Sequence, residues 1–538
     1  MTRPGREVAQ PRAAPVPSSR GVSRGTSQNL TDEVEERRNR VALTLDASRR
    51  SDLGQYFTPD PVARFMASMF ELSDQPATLL DPGAGVGSLA AAFVARWSDE
   101  CRSPLSVTAC EVDSALHDEL RATLRRCGRV PKVTTELLRG DFIDWTTDRL
   151  GGLRLTEPPV FSHIIMNPPY RKMASGSQER RLLRYVGMDV PNLYAAFLAL
   201  GTRLLAPGGQ MVAITPRSFT NGLYFKAFRR ELLSSVSLRR IHVYDSRDTA
   251  FADADVLQEN VVFMAERATR RRTVTVTSSA SPSAADATSR RVPYDEVVRP
   301  DDPEQFIHLA PNADHADVAT AVASLPNTIA SLGLSVSTGR VVDFRSQDHL
   351  RPLPGAGTVP LVYPTHMRAG ALSWPKPGKK PNALKRCSET ESLLLPAGCY
   401  VLVKRFSAKE ERRRVVASLV REGDLPGDWW GFENHLNVFH CSNRGLDPDL
   451  ATGLTVWLNS TPVDVAFRQF SGHTQVNATD LRNMRYPNRE QLRSLGEASG
   501  VSVLTQEKID SLVAAHVGGQ WANALSARTP VSRPALRP

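Results

Sequence analysis

Two rhythms of apolar residues run through the first half of the chain. Short unbroken runs alternate with stretches in which apolar residues recur every third or fourth position. The runs predict buried strands of a parallel sheet, and the periodic stretches predict helices lying on it. Val62, Phe65, Met66 and Met69 predict a helix with Pro61 at its start. Thr78-Leu79-Leu80 predicts a strand, followed by a glycine-rich turn and a helix from Ser88 to Trp97. A strand over Leu105 to Cys110, a helix over Ser114 to Arg126 and a strand over Val133 to Leu138 come next. The pattern continues with a strand over His163 to Met166, a helix over Asn192 to Leu205, a turn at Pro207-Gly208-Gly209 and a strand over Gln210 to Thr215. A helix over Phe225 to Leu233 and strands over Leu238 to Tyr244 and Asn260 to Ala265 close the series. Such alternation implies an α/β fold on a mostly parallel, doubly wound sheet.

The rhythm fades at the ends and changes in the middle. Residues 1–30 carry Arg3, Arg6, Arg12, Arg20 and Arg24 among Pro, Ser and Gly, too polar for a core, and are expected as a disordered basic tail. Folding should begin near Leu30 with a short helix capped by Thr31 or Asp32, opening an α/β domain over 31–270. Residues 271–292, rich in Ser, Thr, Ala and Arg, read as a linker with room for a strand at Thr273 to Thr277. From 293 to 495 short strands (Val359 to Tyr363, Cys399 to Phe406) and proline-rich turns predict a mixed α+β second domain. Residues 496–538 read as a C-terminal helix and a loose tail.

Composition adds three constraints. A hydrophobic content of 41% over 538 residues is ample for more than one core. The excess of 67 Lys and Arg over 57 Asp and Glu favours a polyanionic partner. The six cysteines have no metal-site spacing and read as reduced, mostly buried thiols of a cytosolic protein without structural zinc. No apolar run approaches the ~20 residues of a membrane span, and no secretory signal is visible.

The chemistry gathers where strands are predicted to end. After His163-Ile164-Ile165-Met166 the chain reads Asn167-Pro168-Pro169-Tyr170. Two prolines stiffen this tip and keep it from coiling into a helix. The Asn167 side-chain oxygen and the Pro168 carbonyl are two fixed acceptors for the two hydrogens of a planar exocyclic amine. Holding both stabilises the positive charge that grows as the nitrogen attacks an electrophile. Tyr170 offers a face for a heterocycle, worth about 1–3 kcal/mol by base-stacking values. By itself the tetrapeptide also fits a tight turn with a packed tyrosine.

Other predicted tips bear candidates for a ligand. Asp81-Pro82-Gly83-Ala84-Gly85-Val86-Gly87 lets backbone approach a ligand closely, with Gly83 and Gly85 at its centre. It lacks the Gly-Lys-Ser/Thr of a phosphate loop and opens on an acid, unlike a dinucleotide fingerprint. Glu111, about 20–25 positions on, suits ribose hydroxyls, or is a surface glutamate. Asp141 can accept an amino hydrogen of adenine and Phe142 can pack on its ring. Thr58 lies in a loop before the first helix, and Phe251 in a loop that could cover a base held by Tyr170.

In this order the segments resemble the S-adenosylmethionine-dependent amino-methyltransferases of DNA. They follow the gamma-class arrangement of adenine methyltransferases in restriction–modification systems: a Gly54-Gln55-Tyr56-Phe57-Thr58-Pro59-type segment, the glycine loop, Asn-Pro-Pro-Tyr, then a C-terminal target-recognition domain. The resemblance covers 50–265 and implies a Rossmann-like class I methyltransferase fold. It implies that Thr58 and Pro59 border the methionine part of S-adenosylmethionine, and that Asp81, Gly83 and Gly85 cradle it. Glu111 would hold the ribose, Asp141 and Phe142 the cofactor adenine. Asn167, Pro168, Pro169 and Tyr170 would grip the target amine, with Phe251 stacking on the base.

In the second half, Lys404, Arg405, Lys409, Arg412, Arg413 and Arg414 form a basic cluster, and Trp374 to Lys380 a basic aromatic loop. Phosphate contact is one reading, a solvated charged face the other. The segments Glu433 to Asn437 and Phe470 to Pro487 resemble parts of recognition domains in PstI- and BsuBI-type modification enzymes; within the latter, Asn477 or Thr479 can cap a helix. His435 and His473 have no partners at metal spacing. The expected function is site-specific methylation of adenine in double-stranded DNA by base flipping, by a monomer serving as the modification part of a restriction–modification system in the bacterial cytoplasm. Any cognate endonuclease would be a separate chain. Methylation of cytosine, RNA or a protein glutamine, and a catalytically dead DNA-binding regulator, are the alternatives.

Overall fold

The computed structural model describes residues 24–44, 57–151, 159–244, 260–267, 272–300, 302–309, 313–368, 370–407, 413–470, 475–500 and 504–518. The first half is organised by strands β1 (Ala77–Pro82), β2 (Leu105–Glu111), β3 (Val133–Arg139), β4 (Phe161–Met166), β5 (Leu205–Pro216), β6 (Ser237–Tyr244), β7 (Asn260–Glu266), β8 (Thr273–Ser279) and β9 (Thr288–Pro293). They form one sheet in the order β3-β2-β1-β4-β5-β7-β6-β8-β9. Strands β1 to β5 are mutually parallel, and β7 is antiparallel to both β5 and β6. The chain steps outward from β1 to β3, then crosses back to start again at β4. The reversal lies between β1 and β4, the crevice in which open α/β sheets hold ligands.

The unbroken apolar run of β4 is explained by burial on both faces. Ile164 and Met166 pack with helix Leu193–Leu204, while Ile165 packs with helix Ser88–Glu100 on the opposite side. A glycine in helix Leu193–Leu204 lets it close on the sheet: a Cβ at Gly201 would stand 2.9 Å from the Met166 methyl.

Three sequence expectations are corrected. The first helix spans Arg24–Thr44, beginning inside the expected tail and running well beyond a short element. It is polar overall; Leu30, Val34 and Val41 are its buried apolar residues. Ion pairs Arg37–Glu119 and Arg126–Glu33 join it to helix His117–Cys127, so long-range charge supports what periodicity alone understates. The expected linker 271–292 instead supplies β8 and β9 to the large sheet. Thr273 to Thr277 alternates Thr with Val, and Val274 and Val276 are buried in the first-half core. Finally, β5 begins at Leu205 and passes through Pro207-Gly208-Gly209, where Gly208 takes φ +75° and the pairing with β4 shifts register.

The second half holds smaller sheets. A four-stranded sheet contains Ser335–Thr338, Leu436–His440, Tyr400–Lys404 and Ala417–Val420, in that order. A five-stranded sheet contains Leu350–Arg351, Ala383–Lys385, Thr358–Val362, Trp429–Phe432 and Leu394–Pro396. Helices Pro448–Leu458, Thr461–Phe470, Arg489–Ser499 and Gln506–Val517 pack on the four-stranded sheet in one core. Helices Pro448–Leu458 and Arg489–Ser499 approach through glycines: a Cβ at Gly453 would overlap the Leu492 carbonyl, and one at Gly496 the Asp449 carbonyl. Asn477 is the N-cap residue of helix Ala478–Asn483, and its backbone N–H donates to Asp480 Oδ2 at 2.8 Å, the reciprocal arm of a capping box.

The halves are joined by hydrogen bonds beside the carboxyl end of β5. Buried Arg217 donates to the carbonyls of Arg468 and Gln469 at 3.0 and 2.7 Å. Ile307 N–H donates to Thr220 O, and Leu309 N–H to Gln469 O. Among the described residues, no helix is long and apolar enough to cross a membrane.

Candidate active site

Strand order brings the two sequence-predicted chemical centres side by side. β1 ends in the glycine turn, β4 ends at Asn167, and these strands are paired neighbours. The loop before helix Asp60–Ser68 adjoins both. Thr58 is buried, and its Oγ1 accepts a hydrogen bond from Asn167 Nδ2 at 3.1 Å across 109 positions of sequence. That contact fixes the amide plane and turns Oδ1 away from Thr58, as an acceptor requires. Pro168 is buried; Asn167, Pro169 and Tyr170 remain half-buried at the tip. The Tyr170 hydroxyl donates to Ile214 O of β5 at 3.3 Å, and its ring meets Tyr194 edge-on at 6.3 Å. The ring orientation is therefore set from two sides.

The glycine turn bends back over β2. Gly83 and Ala84 N–H groups donate to Cys110 O at 2.8 and 2.9 Å, and Gly83 and Gly85 take φ +72° and +60°. A Cβ at Gly83 would stand 3.4 Å from Phe197, and one at Gly85 3.3 Å from Phe57, so side chains there would be strained and crowded. Asp81 is fully buried; Oδ2 accepts from Ala90 N–H at 3.1 Å, while Oδ1 has no hydrogen-bond partner among the described residues. Burial pushes the Asp81 carboxyl up to about 7, and nearby Glu111 adds to the rise.

Glu111 is held by backbone donors: Gly85 N–H to Oε2 and Asp113 N–H to Oε1, both at 2.8 Å. Burial raises its carboxyl, against the pull of those hydrogen bonds. Each oxygen keeps acceptor capacity for a hydroxyl. Asp141 Oδ1 caps helix Phe142–Leu150 by accepting from Ile143 N–H at 2.6 Å and Asp144 N–H at 3.2 Å. Phe142 is buried, packed against Phe197 at 4.9 Å and Trp145 at 6.3 Å. A fixed carboxylate, a side-chain-free turn with positive φ and a buried acceptor with no partner among the described residues form a donor and acceptor set that fits a nucleoside bearing an amino-acid tail.

Relatives of this chain share nearly its full length. The type II methyltransferase M.BsuBI of Bacillus subtilis is 42% identical over 88% of this chain and 96% of its own. The type II methyltransferase M.PstI of Providencia stuartii is 41% identical over 90% of this chain and 96% of its own. The chain belongs to the type II methyltransferase family. The Eco57I restriction-modification methylase family also matches, over residues 132–251. Among solved structures, the type IIL restriction-modification enzyme MmeI in complex with DNA is 12% identical, with a TM-score of 0.50 over 95% of this chain and 76% of that one. That likeness concerns the fold, a class I methyltransferase sheet with a second mixed α+β region.

For this methyltransferase, the structure gathers Thr58, Asp81, Gly83, Gly85, Glu111, Asn167 and Tyr170 along one edge of the sheet. Phe251, Arg412 and His473 lie outside the described residues. Lys404 ends a strand of the four-stranded sheet, and Arg405, the next residue, donates to Asn434 O at 3.2 Å. Arg414 is a correction to the basic cluster: it is fully buried and donates to Ser407 O at 2.6 Å, inside the fold rather than on a charged face. His435 Nδ1 lies 2.5 Å from Oε1 of buried Glu433, and its ring lies 5.1 Å from half-exposed Phe406.

Linear spacing missed two features. Arg217 ties the large sheet to the second half, and an isolated arginine offered no signal for that role. His349, Cys387 and Glu389 bring ligand atoms within 4.8 Å of one another in the second half, although their sequence spacing matches no metal motif.

Proposed function

We propose that this methyltransferase moves a methyl group from S-adenosylmethionine to the exocyclic N6 amine of adenine in duplex DNA, as the modification part of a restriction–modification system. The observation that carries the reading is the hydrogen bond between Thr58 and Asn167, next to the strand pair that joins the glycine turn to the Asn-Pro-Pro-Tyr tip. S-adenosylmethionine supplies a methyl carbon activated by its sulfonium. Glu111 accepts from its ribose hydroxyls, the turn at Gly83 and Gly85 lets backbone approach it, and Asp141 accepts from its adenine amino group.

The target base must leave the stack to reach the tip. Tyr170, braced by Ile214 O and Tyr194, receives its face. Asn167 Oδ1 and the Pro168 carbonyl would accept the two N6 hydrogens, drawing electron density onto the nitrogen as its lone pair takes the methyl carbon and the carbon–sulfur bonding pair returns to the cofactor's sulfur. The amine then sheds one proton to water, so no side-chain base is required. The net charge of +10 supports attraction to the phosphate backbone, and we infer that the second half reads the site. We further propose that the chain acts as a monomer, with any endonuclease on a separate chain.

The test incubates the full chain with tritiated S-adenosylmethionine and unmethylated duplex DNA, followed by digestion to nucleosides. Label in N6-methyl-2′-deoxyadenosine is expected. Label in N4-methyl-2′-deoxycytidine, in added RNA or in protein rejects the proposal.

A further inference from the structure

Tyr224 is 85% exposed, more than any other described aromatic residue. A single exposed ring normally needs no explanation. This one stands on a loop held from several sides. Gly222 N–H donates to Ser218 O at 2.9 Å and Phe225 N–H to Gly222 O at 3.1 Å. The buried Arg229 guanidinium donates to Phe219 O and Gly222 O at 3.0 and 2.7 Å, and to Glu304 O at 3.1 and 2.9 Å. A Cβ on Gly222 would stand 2.6 Å from Ser218 O and 2.7 Å from the Phe225 ring, so the turn is tight as well as tethered. The loop thus holds the Tyr224 backbone in place, with its ring out in solvent.

The loop also sits where the chemistry is. It follows directly from the carboxyl end of β5, the neighbour of the strand that carries Asn167. Tyr170 meets Tyr194 at 6.3 Å, and Tyr194 stacks on Phe225 at 5.4 Å, beside Tyr224 in sequence. With about 3.8 Å between successive Cα atoms, these spacings anchor Tyr224 within about 20 Å of Tyr170.

We propose that Tyr224 is a wedge that enters the duplex beside the target and stacks on the base pair bordering the gap left by the extruded base. The proposal rests on the DNA-methylating reading above. Extrusion removes stacking from the flanking bases, and a flat ring with two side-chain torsions can replace it at small entropic cost. Fixing the loop in advance lowers the ordering cost of insertion.

The test uses the full chain and a duplex whose site has first been mapped by methylation-sensitive sequencing of DNA from cells expressing the wild type. Tyr224→Ala is expected to lower kcat/KM for transfer roughly ten- to hundredfold, the range of one lost base stack. It should also suppress the fluorescence rise of 2-aminopurine placed at the target. Calorimetric binding of S-adenosylmethionine and the melting temperature should stay at wild-type values. Tyr224→Phe and Tyr224→Trp, which keep a ring, should recover transfer. An abasic position opposite the target makes extrusion cheap, and there Tyr224→Ala should approach the wild type. Unchanged transfer in Tyr224→Ala, or an equal defect on the abasic duplex, overturns the wedge. If the wild type methylates no DNA, the underlying reading falls and the wedge falls with it.

Discussion

In the first half, the described residues singled out for chemistry lie at or beside one edge of a single sheet. In the second half, the residues singled out for DNA are scattered over short strands and loops of separate sheets. Parallel strands share direction, so their carboxyl ends collect at one edge whatever their order. A motif recognised after each predicted strand can therefore be assigned to that edge from sequence. Short antiparallel strands alternate direction and side, so neighbouring charges diverge. Lys404 ends a strand and Arg405 follows it, whereas Arg414, a few positions on, is fully buried.

The sharpest way to break this contrast is at the tip of β4. Asn167→Ala should reduce methyl transfer roughly 150-fold, about 3 kcal/mol, the scale of one lost charge-stabilising contact. Calorimetry should show S-adenosylmethionine binding unchanged, because Asp81, Gly83, Gly85 and Glu111 are untouched. A near-normal rate in the tritium assay would refute the role given to Asn167.

Stability tests the second half. Gly453→Ala forces a Cβ into the Leu492 carbonyl and should cost about 1–3 kcal/mol through overpacking. The urea midpoint for unfolding of that half should fall, while the cofactor affinity of the first half holds. An unshifted midpoint would contradict the close helix crossing.

A smaller effect distinguishes phosphate contact from structure in the basic cluster. Arg405→Gln and Arg413→Gln should each lower the slope of log affinity against log salt by about 0.9 if the residue meets a phosphate in duplex DNA. An unchanged slope assigns that residue to holding its own loop, as the bond from Arg405 to Asn434 O would suit.

The smallest prediction concerns pH. Burial among Phe70, Phe93 and Trp97 pulls the His163 imidazole down to about 4. The unfolded chain titrates this group near 6.5, so it binds more protons than the folded chain between the two values. The stability that the neutral ring contributes is present above pH 6.5 and is lost as pH falls toward 4. His163→Gln should flatten the pH dependence of unfolding free energy in that window relative to wild type. Parallel curves would show that the ring is not held neutral.

By itself, the sequence determined the strand–helix alternation, the buried character of β4 and the identity of the residues at each tip. Those follow from local periodicity and from the stiffness of proline and freedom of glycine, which act over a few residues. It also marked Asn477 as a helix cap, since capping joins neighbours. It understated the helix Arg24–Thr44, whose support comes from Glu119 and Arg126 far along the chain. It allowed one strand at Thr273 to Thr277 but placed a linker where β8 and β9 join the large sheet, because the edge strand β9 buries only Val292 and has no apolar run to stand out. Only the tertiary structure decided that β4 lies against β1, that Thr58 reaches Asn167, and that Arg217 fastens the two halves. Such contacts depend on strand order and loop closure across long separations, and no local pattern of side chains encodes them.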